Sequence, residues 1–203
     1  MNIKNTKIVQ FTLKQSLILG FLVLNFSHAS LAAETVTVYE KTIDNKTYCV
    51  SQINVNTAPI NVWRIITNYK NATNVFPRLK ECELLKSNGN VKLIRHSLNP
   101  SGMPTRFNYV IEVTENYGKE ISWHRKSGDF KEVEGFWRLE PINGGKATRV
   151  TYASHVVGTF LQPEILIKRQ CKTDMPATMI ALKTTAEAQK ARNEIASTGD
   201  SLH

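Results

Sequence analysis

Few residues in this sequence are spaced for covalent chemistry. Three histidines, His96, His124 and His155, fall in its central stretch. Each alternates with apolar neighbours that read as inward-facing, so all three are expected to point outward. They also come from strands that are not consecutive, which argues against a shared metal ion. Ser101, within Pro100-Ser101-Gly102, lacks the sharp strand-to-helix bend that a serine nucleophile requires. Asp129 and Glu134 are close in sequence, but Asp129 falls in a turn, where a carboxylate more commonly caps backbone N–H groups. Asn143-Gly144-Gly145 reads as a hairpin turn, not a phosphate-cradling loop. No nucleophile–base pair, metal-ligand set or cofactor motif emerges.

What the sequence offers instead is aromatic side chains at period two. Phe107, Tyr109, Ile111 and Val113 share one face of their segment, opposite Asn108 and Glu112. Ile121, Trp123 and Arg125 form a second such set. Val133, Gly135, Trp137 and Leu139 form a third, and Val150, Tyr152, Ser154 and Val156 a fourth. Ile165, Met175, Met179 and Leu182 are candidates to close over them from a C-terminal helix. If these faces converge, they enclose an aromatic-lined space with a few polar groups, which describes a small-molecule site. Methionines suit such a site, because a flexible thioether adapts to irregular apolar ligands. The same stripes would also build an ordinary core.

Arginine tilts the balance. Arg125 and Arg95, the latter in phase with Val91 and Leu93, put charge on faces that are otherwise apolar. That is costly unless the charge meets a carboxylate or a ligand oxygen. A one-residue slip in register would put both outside. The expected ligand contacts are therefore Arg95, Phe107, Tyr109, Trp123, Arg125, Trp137, Tyr152, Met175 and Met179.

The elements that must position these residues follow from the same periodicities. Residues 35–55 read as a strand broken by a turn at Asp44-Asn45. Pro59 opens a helix whose stripe runs through Val62, Trp63, Ile65, Ile66 and Tyr69. A second short helical turn reaches Val75-Phe76-Pro77. Six strands then follow over residues 79–86, 90–98, 106–116, 119–126, 130–140 and 148–157, separated by Gly-, Asn- and Ser-rich turns. Short turns between neighbours mean an antiparallel meander. Residues 163–196 read as one long helix, kinked or split by Pro176. A meander of this length curls, and that helix is the element able to cover its concave face.

The first 33 residues stand apart. Lys4, Lys7 and Lys14 precede the apolar run Leu17–Leu24 and the small-residue stretch Ser27–Ala33, the order of a secretory signal peptide. An uncleaved membrane anchor is the alternative. Residues 34–196 then form the folded domain and 197–203 a disordered tail. The expected location is the periplasm or the exterior. Removing three lysines and no acid from the net +9 leaves +6. That surplus is spread along the chain with no basic arm, which argues against nucleic acid and leaves an anionic membrane surface as a possible partner. Cys49, Cys82 and Cys171 are an odd set, so at most one bridge forms within the chain. Cys49–Cys82 is the expected pair, because Cys171 falls in the helix.

The layout resembles the helix-grip fold of the START-like superfamily, the polyketide cyclase, coenzyme Q-binding and lipid-transfer group. The matching pieces are Ala58-Pro59 through Tyr69, Val75-Phe76-Pro77, Gly128-Asp129-Phe130 and Glu134-Gly135-Phe136-Trp137-Arg138-Leu139. Further on come Gly144-Gly145-Lys146-Ala147-Thr148, Val150-Thr151-Tyr152 and the segment from Pro176-Ala177 to Ala186-Glu187. Their order and spacing cover residues 35–190. The resemblance implies an α+β fold in which a curved antiparallel sheet wraps a long C-terminal helix, with two short helices after the first strand. It implies no single activity, since this fold hosts several. The principal reading is an exported carrier of a hydrophobic small molecule, such as a lipid, isoprenoid or quinone-like compound, with no cofactor. A cyclase or dehydratase would use the same cavity, with Tyr109, Tyr152 or Arg125 polarising a carbonyl. A surface interaction module would have its cavity filled.

Overall fold

Asp44 and Asn45 both adopt positive φ, 48° and 63°, the backbone of a two-residue hairpin turn whose twist matches its strands. They join β1 (Thr37–Ile43) to β2 (Lys46–Val55), so the segment expected as one broken strand is a hairpin. The structure, a computed structural model, describes residues 35–159 and 164–199. The expected export segment, residues 1–33, lies outside the described residues, as do residues 200–203.

Pro59 starts helix α1 (Pro59–Ile66), which buries Val62, Trp63, Ile65 and Ile66 along one face. A single 3-10 turn and the short helix α2 (Ala72–Val75) lead into the meander. It comprises β3 (Leu79–Asn88), β4 (Val91–Leu98), β5 (Phe107–Asn116), β6 (Glu120–Gly128), β7 (Glu132–Ile142) and β8 (Ala147–Val157). The last strand returns to β2, pairing Cys49 with Ser154 and Val55 with Thr148. The result is one eight-stranded antiparallel sheet in the order β1-β2-β8-β7-β6-β5-β4-β3, open and curved. Register slips at Leu79/Glu81 and Leu84/Lys86 in β3, and at Val110/Ile111 between β5 and β6, mark the bulges that bend its far half.

Helix α3 (Glu164–Gly199) runs through Pro176 without being split. It packs chiefly on β2 and also meets α1 and β8. Met179, Leu182 and Ala186 are its deepest side chains, essentially inaccessible to solvent. Polar ties secure the helix beside this core. Lys183 Nζ donates to the Asn54 carbonyl at 2.9 Å and to Glu187 Oε1 at 2.7 Å, and the Asn56 N–H reaches the same Glu187 oxygen at 2.8 Å. Thr148 Oγ1 donates to the Thr57 carbonyl at 2.6 Å, satisfying a fully buried pair. This is the helix-grip architecture expected from the sequence.

Candidate functional site

A cavity of about 220 Å³ lies between the concave face of the sheet and the N-terminal half of α3. Strands β4 to β8 supply half of its lining residues; α1, α2, the segments flanking α2, β3 and the loops at Pro100 and Phe130 add to the wall. Alternation puts Tyr109, Ile111 and Val113 of β5 into it, with Ile121 and Trp123 of β6, Val133 and Trp137 of β7, and Tyr152, Ser154 and Val156 of β8. Cys171, Asp174, Met175 and Thr178 close it from α3 at helical spacing.

Aromatic rings form a continuous surface along one side. Trp137 stacks on Tyr152 with centroids 4.1 Å apart and planes 9° from parallel. Phe76 stacks with Trp137 at 6.1 Å, and Trp123 lies 5.8 Å from Tyr152. Gly135 makes room for this arrangement. A Cβ there would stand 2.5 Å from the Trp123 ring and 2.2 Å from the Ala153 carbonyl oxygen. Only a bare backbone lets the indole come this close to the strand.

Polar groups are few and grouped. His96 lines the cavity from β4, with its ring edge-on to Tyr109 and Nδ1 3.4 Å from the Tyr109 hydroxyl. Its register partners are Cys82 on β3 and Tyr109 on β5, neither of them anionic. Burial without a counter-charge pushes the imidazole down to about 4, so it is neutral at physiological pH. Burial likewise pushes the Cys82 thiol up to about 11 and raises the Tyr109 and Tyr152 phenols, keeping all three protonated. Where the wall reaches solvent, Arg78 Nε donates to Asp174 Oδ1 at 2.9 Å, and the Ser101 N–H donates to Asp174 Oδ2 at 3.0 Å. One carboxylate on the helix thus holds both the approach to β3 and the β4–β5 loop. Near the Asn116 end of β5, the Tyr69 hydroxyl donates to Glu115 at 2.5 Å.

Of the expected contacts, Tyr109, Trp123, Trp137, Tyr152 and Met175 line the cavity. Phe107 and Met179 are buried in the core beside it: Phe107 packs on Phe130, and Met179 lies beneath the helix. Arg95 points to the opposite face, where its guanidinium meets Glu83 at 2.6 Å. The reason is phase. Leu93 and Ile94 are adjacent apolar residues, and β4 resolves the ambiguity by turning Ile94, His96 and Leu98 inward. That choice also brings His96 inside, against the expectation that it faces solvent. His124 does face outward, 3.4 Å from Glu112. Arg125 is opposite Ile111 in register, but at the bulge its guanidinium turns back to donate to the Gly128 carbonyl at 2.9 Å, and it does not line the cavity.

The expected Cys49–Cys82 bridge is not formed, and the three thiols are free. Sequence reasoning also passed over Phe76, Arg78, Cys82, Cys171 and Asp174 as wall residues. They sit in connecting segments, on the bulged strand or on the helix, where alternation gives no facing rule. Among the described residues no group of histidine, cysteine or carboxylate side chains could hold a metal ion. No helix among them is long and apolar enough to cross a membrane.

Comparison with known proteins fits this geometry. The sequence profile described as polyketide cyclase / dehydrase and lipid transport matches residues 55–183. No curated protein matches the chain in sequence. Among solved structures, the ZhuI aromatase/cyclase from Streptomyces sp. R1128 superposes with a TM-score of 0.63 at 12% identity, covering 69% of this chain and 93% of that one. A START superfamily protein from Mycobacterium smegmatis gives 0.62 at 16% identity, over 70% and 98% of the two chains. A STAR-related lipid transfer protein from Xanthomonas axonopodis gives 0.60 at 16% identity, over 75% and 93%. At these identities the likeness is one of fold.

Proposed function

The chain belongs to the polyketide cyclase/dehydrase and lipid transport family, and from that premise we propose that it is a carrier for a neutral hydrophobic small molecule. The observation that carries the reading is the charge state of the cavity wall. Its basic side chains are Arg78 and His96; the first is paired to Asp174 and the second is uncharged near pH 7. A carboxylate ligand would lose its hydration there without gaining a counter-ion. A molecule with one carbonyl or hydroxyl on an apolar body loses little, since His96 and the Tyr109 and Tyr152 phenols offer hydrogen bonds and the stacked rings take the rest. An isoprenoid, sterol-like or quinone-like compound has that chemistry. The volume lies just below the roughly 300–1,000 Å³ of drug-sized sites, which favours a compact ligand or one admitted as the helix or the β4–β5 loop moves. The lysine–apolar–small-residue order of the first 33 residues supports a carrier that works outside the cytoplasm.

Native mass spectrometry of the chain purified without added lipid, followed by organic extraction, tests this reading. The expected result is a neutral hydrophobic adduct whose retention falls in Tyr109→Phe and His96→Asn chains. A clean apo mass with no uptake from a total lipid extract would overturn the carrier and favour a surface interaction module. Uptake of fatty acid anions alone would overturn the neutral ligand class.

A second reading rests on the His96–Tyr109 pair, a neutral imidazole and a phenol in an aromatic cavity, whose N–H or O–H could polarise a ligand carbonyl in a cyclase. It is distinguished by a His96→Asn chain that still binds its adduct but leaves it chemically unchanged.

A further inference from the structure

Cys49 lies on the concave face of β2, nearly fully buried, with Ser154 of β8 as its register partner. Ser154 and Cys171 both line the cavity, and α3 packs chiefly on β2. Strand pairing and helix docking therefore bring Cys171 to the same part of the sheet as Cys49, 122 positions away in sequence, close enough for each thiol to shift the other's ionisation. Cys82 sits on β3, at the opposite edge of the sheet and six strands from β2. A disulfide needs Cα atoms within about 7 Å, which removes Cys82 as a partner for Cys49.

We propose that Cys49 and Cys171 form a disulfide-forming dithiol that staples helix α3 to strand β2, with Cys82 left as the odd free thiol. The inference is independent of what the cavity binds. Its consequence is local: Cys171 precedes Asp174 and Met175 by one helical turn, so the bond would fix the part of the helix that closes the cavity.

The exchange balances with a small disulfide such as oxidised glutathione as the oxidant. The partly exposed Cys171 is the sulfur such a molecule reaches first. Giving up its proton, Cys171 attacks one glutathione sulfur; a mixed disulfide forms and one glutathione thiolate leaves. Cys49 then attacks the Cys171 sulfur and displaces the second glutathione thiolate. The oxidant's S–S bond breaks and the protein's forms. Two electrons pass from the cysteines to the oxidant, and the two thiol protons end on the released glutathiones. In the reduced protein the Cys171 thiol beside Cys49 outweighs burial and holds the Cys49 thiol below its ordinary value.

The test takes the full chain, reduces it, and equilibrates it without oxygen in glutathione buffers from fully reduced to fully oxidised. Free thiols are then alkylated and peptides mapped by mass. The expected product under oxidised glutathione joins the Cys49 and Cys171 peptides with loss of two hydrogens, while Cys82 carries the alkyl group. The thermal midpoint should rise by roughly 5–10 °C on oxidation. A Cys82→Ser chain should show the same cross-link and rise, and a Cys171→Ser chain neither. Cys82 in the linked peptide, alkylation of both Cys49 and Cys171, or a lasting glutathione adduct on Cys171 would each overturn the proposal.

Discussion

The two faces of this sheet are made of alternate residues of the same strands, yet they keep opposite electrostatic habits. The convex face gathers charge: Arg95 with Glu83, His124 and Lys126 with Glu112, and Arg138 with Glu120. Near the turn end of β2, Lys46 and Tyr48 both donate to Glu134, and His155 stands 3.6 Å from Glu132. Burial pushes the Glu134 carboxyl up, but these donors outweigh it and hold the group below the ordinary carboxylate range. The concave face carries little charge: its carboxylate Glu115 accepts from the Tyr69 hydroxyl, and its histidine is kept neutral. The difference separates two sources of stability. Exposed pairs on the convex side gain modest Coulomb energy in water, whereas each concave side chain is set by packing against rings and helix.

The contrast is broken most severely at the helix. Met179→Ala removes a fully buried side chain from beneath α3 and should cost roughly 2–5 kcal/mol, read as a lowered denaturant midpoint at unchanged slope. A cost under about 1 kcal/mol would mean the helix is not seated on this core.

The next effect is a pH dependence that the concave face alone should show. His96 has a folded pKa of about 4 against about 6.5 in an unfolded chain, so the unfolded state binds the extra proton between those values. Its contribution is fully present above about pH 6.5 and is lost as the pH falls toward about 4. Full loss amounts to about 3 kcal/mol. Carboxylates titrate in part of the same window, so the measurement is a difference. Thermal midpoints of the parent should fall more steeply from pH 7 to pH 4 than those of His96→Asn. Equal slopes would show that His96 is not held neutral by burial.

Gly135→Ala should destabilise by about 1–3 kcal/mol, because the new methyl overlaps the Ala153 carbonyl and the Trp123 ring. It should also change Trp123 fluorescence and reduce adduct retention, which Ala substitutions on the convex face should not. The smallest effect sharpens the comparison from the other side. Arg95→Ala, on the exposed Glu83 pair, should shift stability by less than about 1 kcal/mol and leave the adduct untouched. Loss of ligand in that chain would place Arg95 back among the contacts.

Sequence alone determined the order of elements, the antiparallel meander, the long covering helix and the inward stripes of β5, β7 and β8. These follow from local periodicity and turn chemistry, which each segment carries within itself. The aromatic half of the cavity was therefore legible, through Tyr109, Trp123, Trp137 and Tyr152. Tertiary structure decided the rest. Leu93 and Ile94 are both apolar, so only pairing to β3 and β5 fixed the phase that sends Arg95 out and brings His96 in. The slip between β5 and β6 is a relation between two strands, and it turned Arg125 back on its own turn. Cys171 meets Cys49, and Asp174 meets Arg78, because a helix far along the chain docks across the sheet. Contacts between distant segments depend on which surfaces bury each other best, and no periodicity within either segment records that.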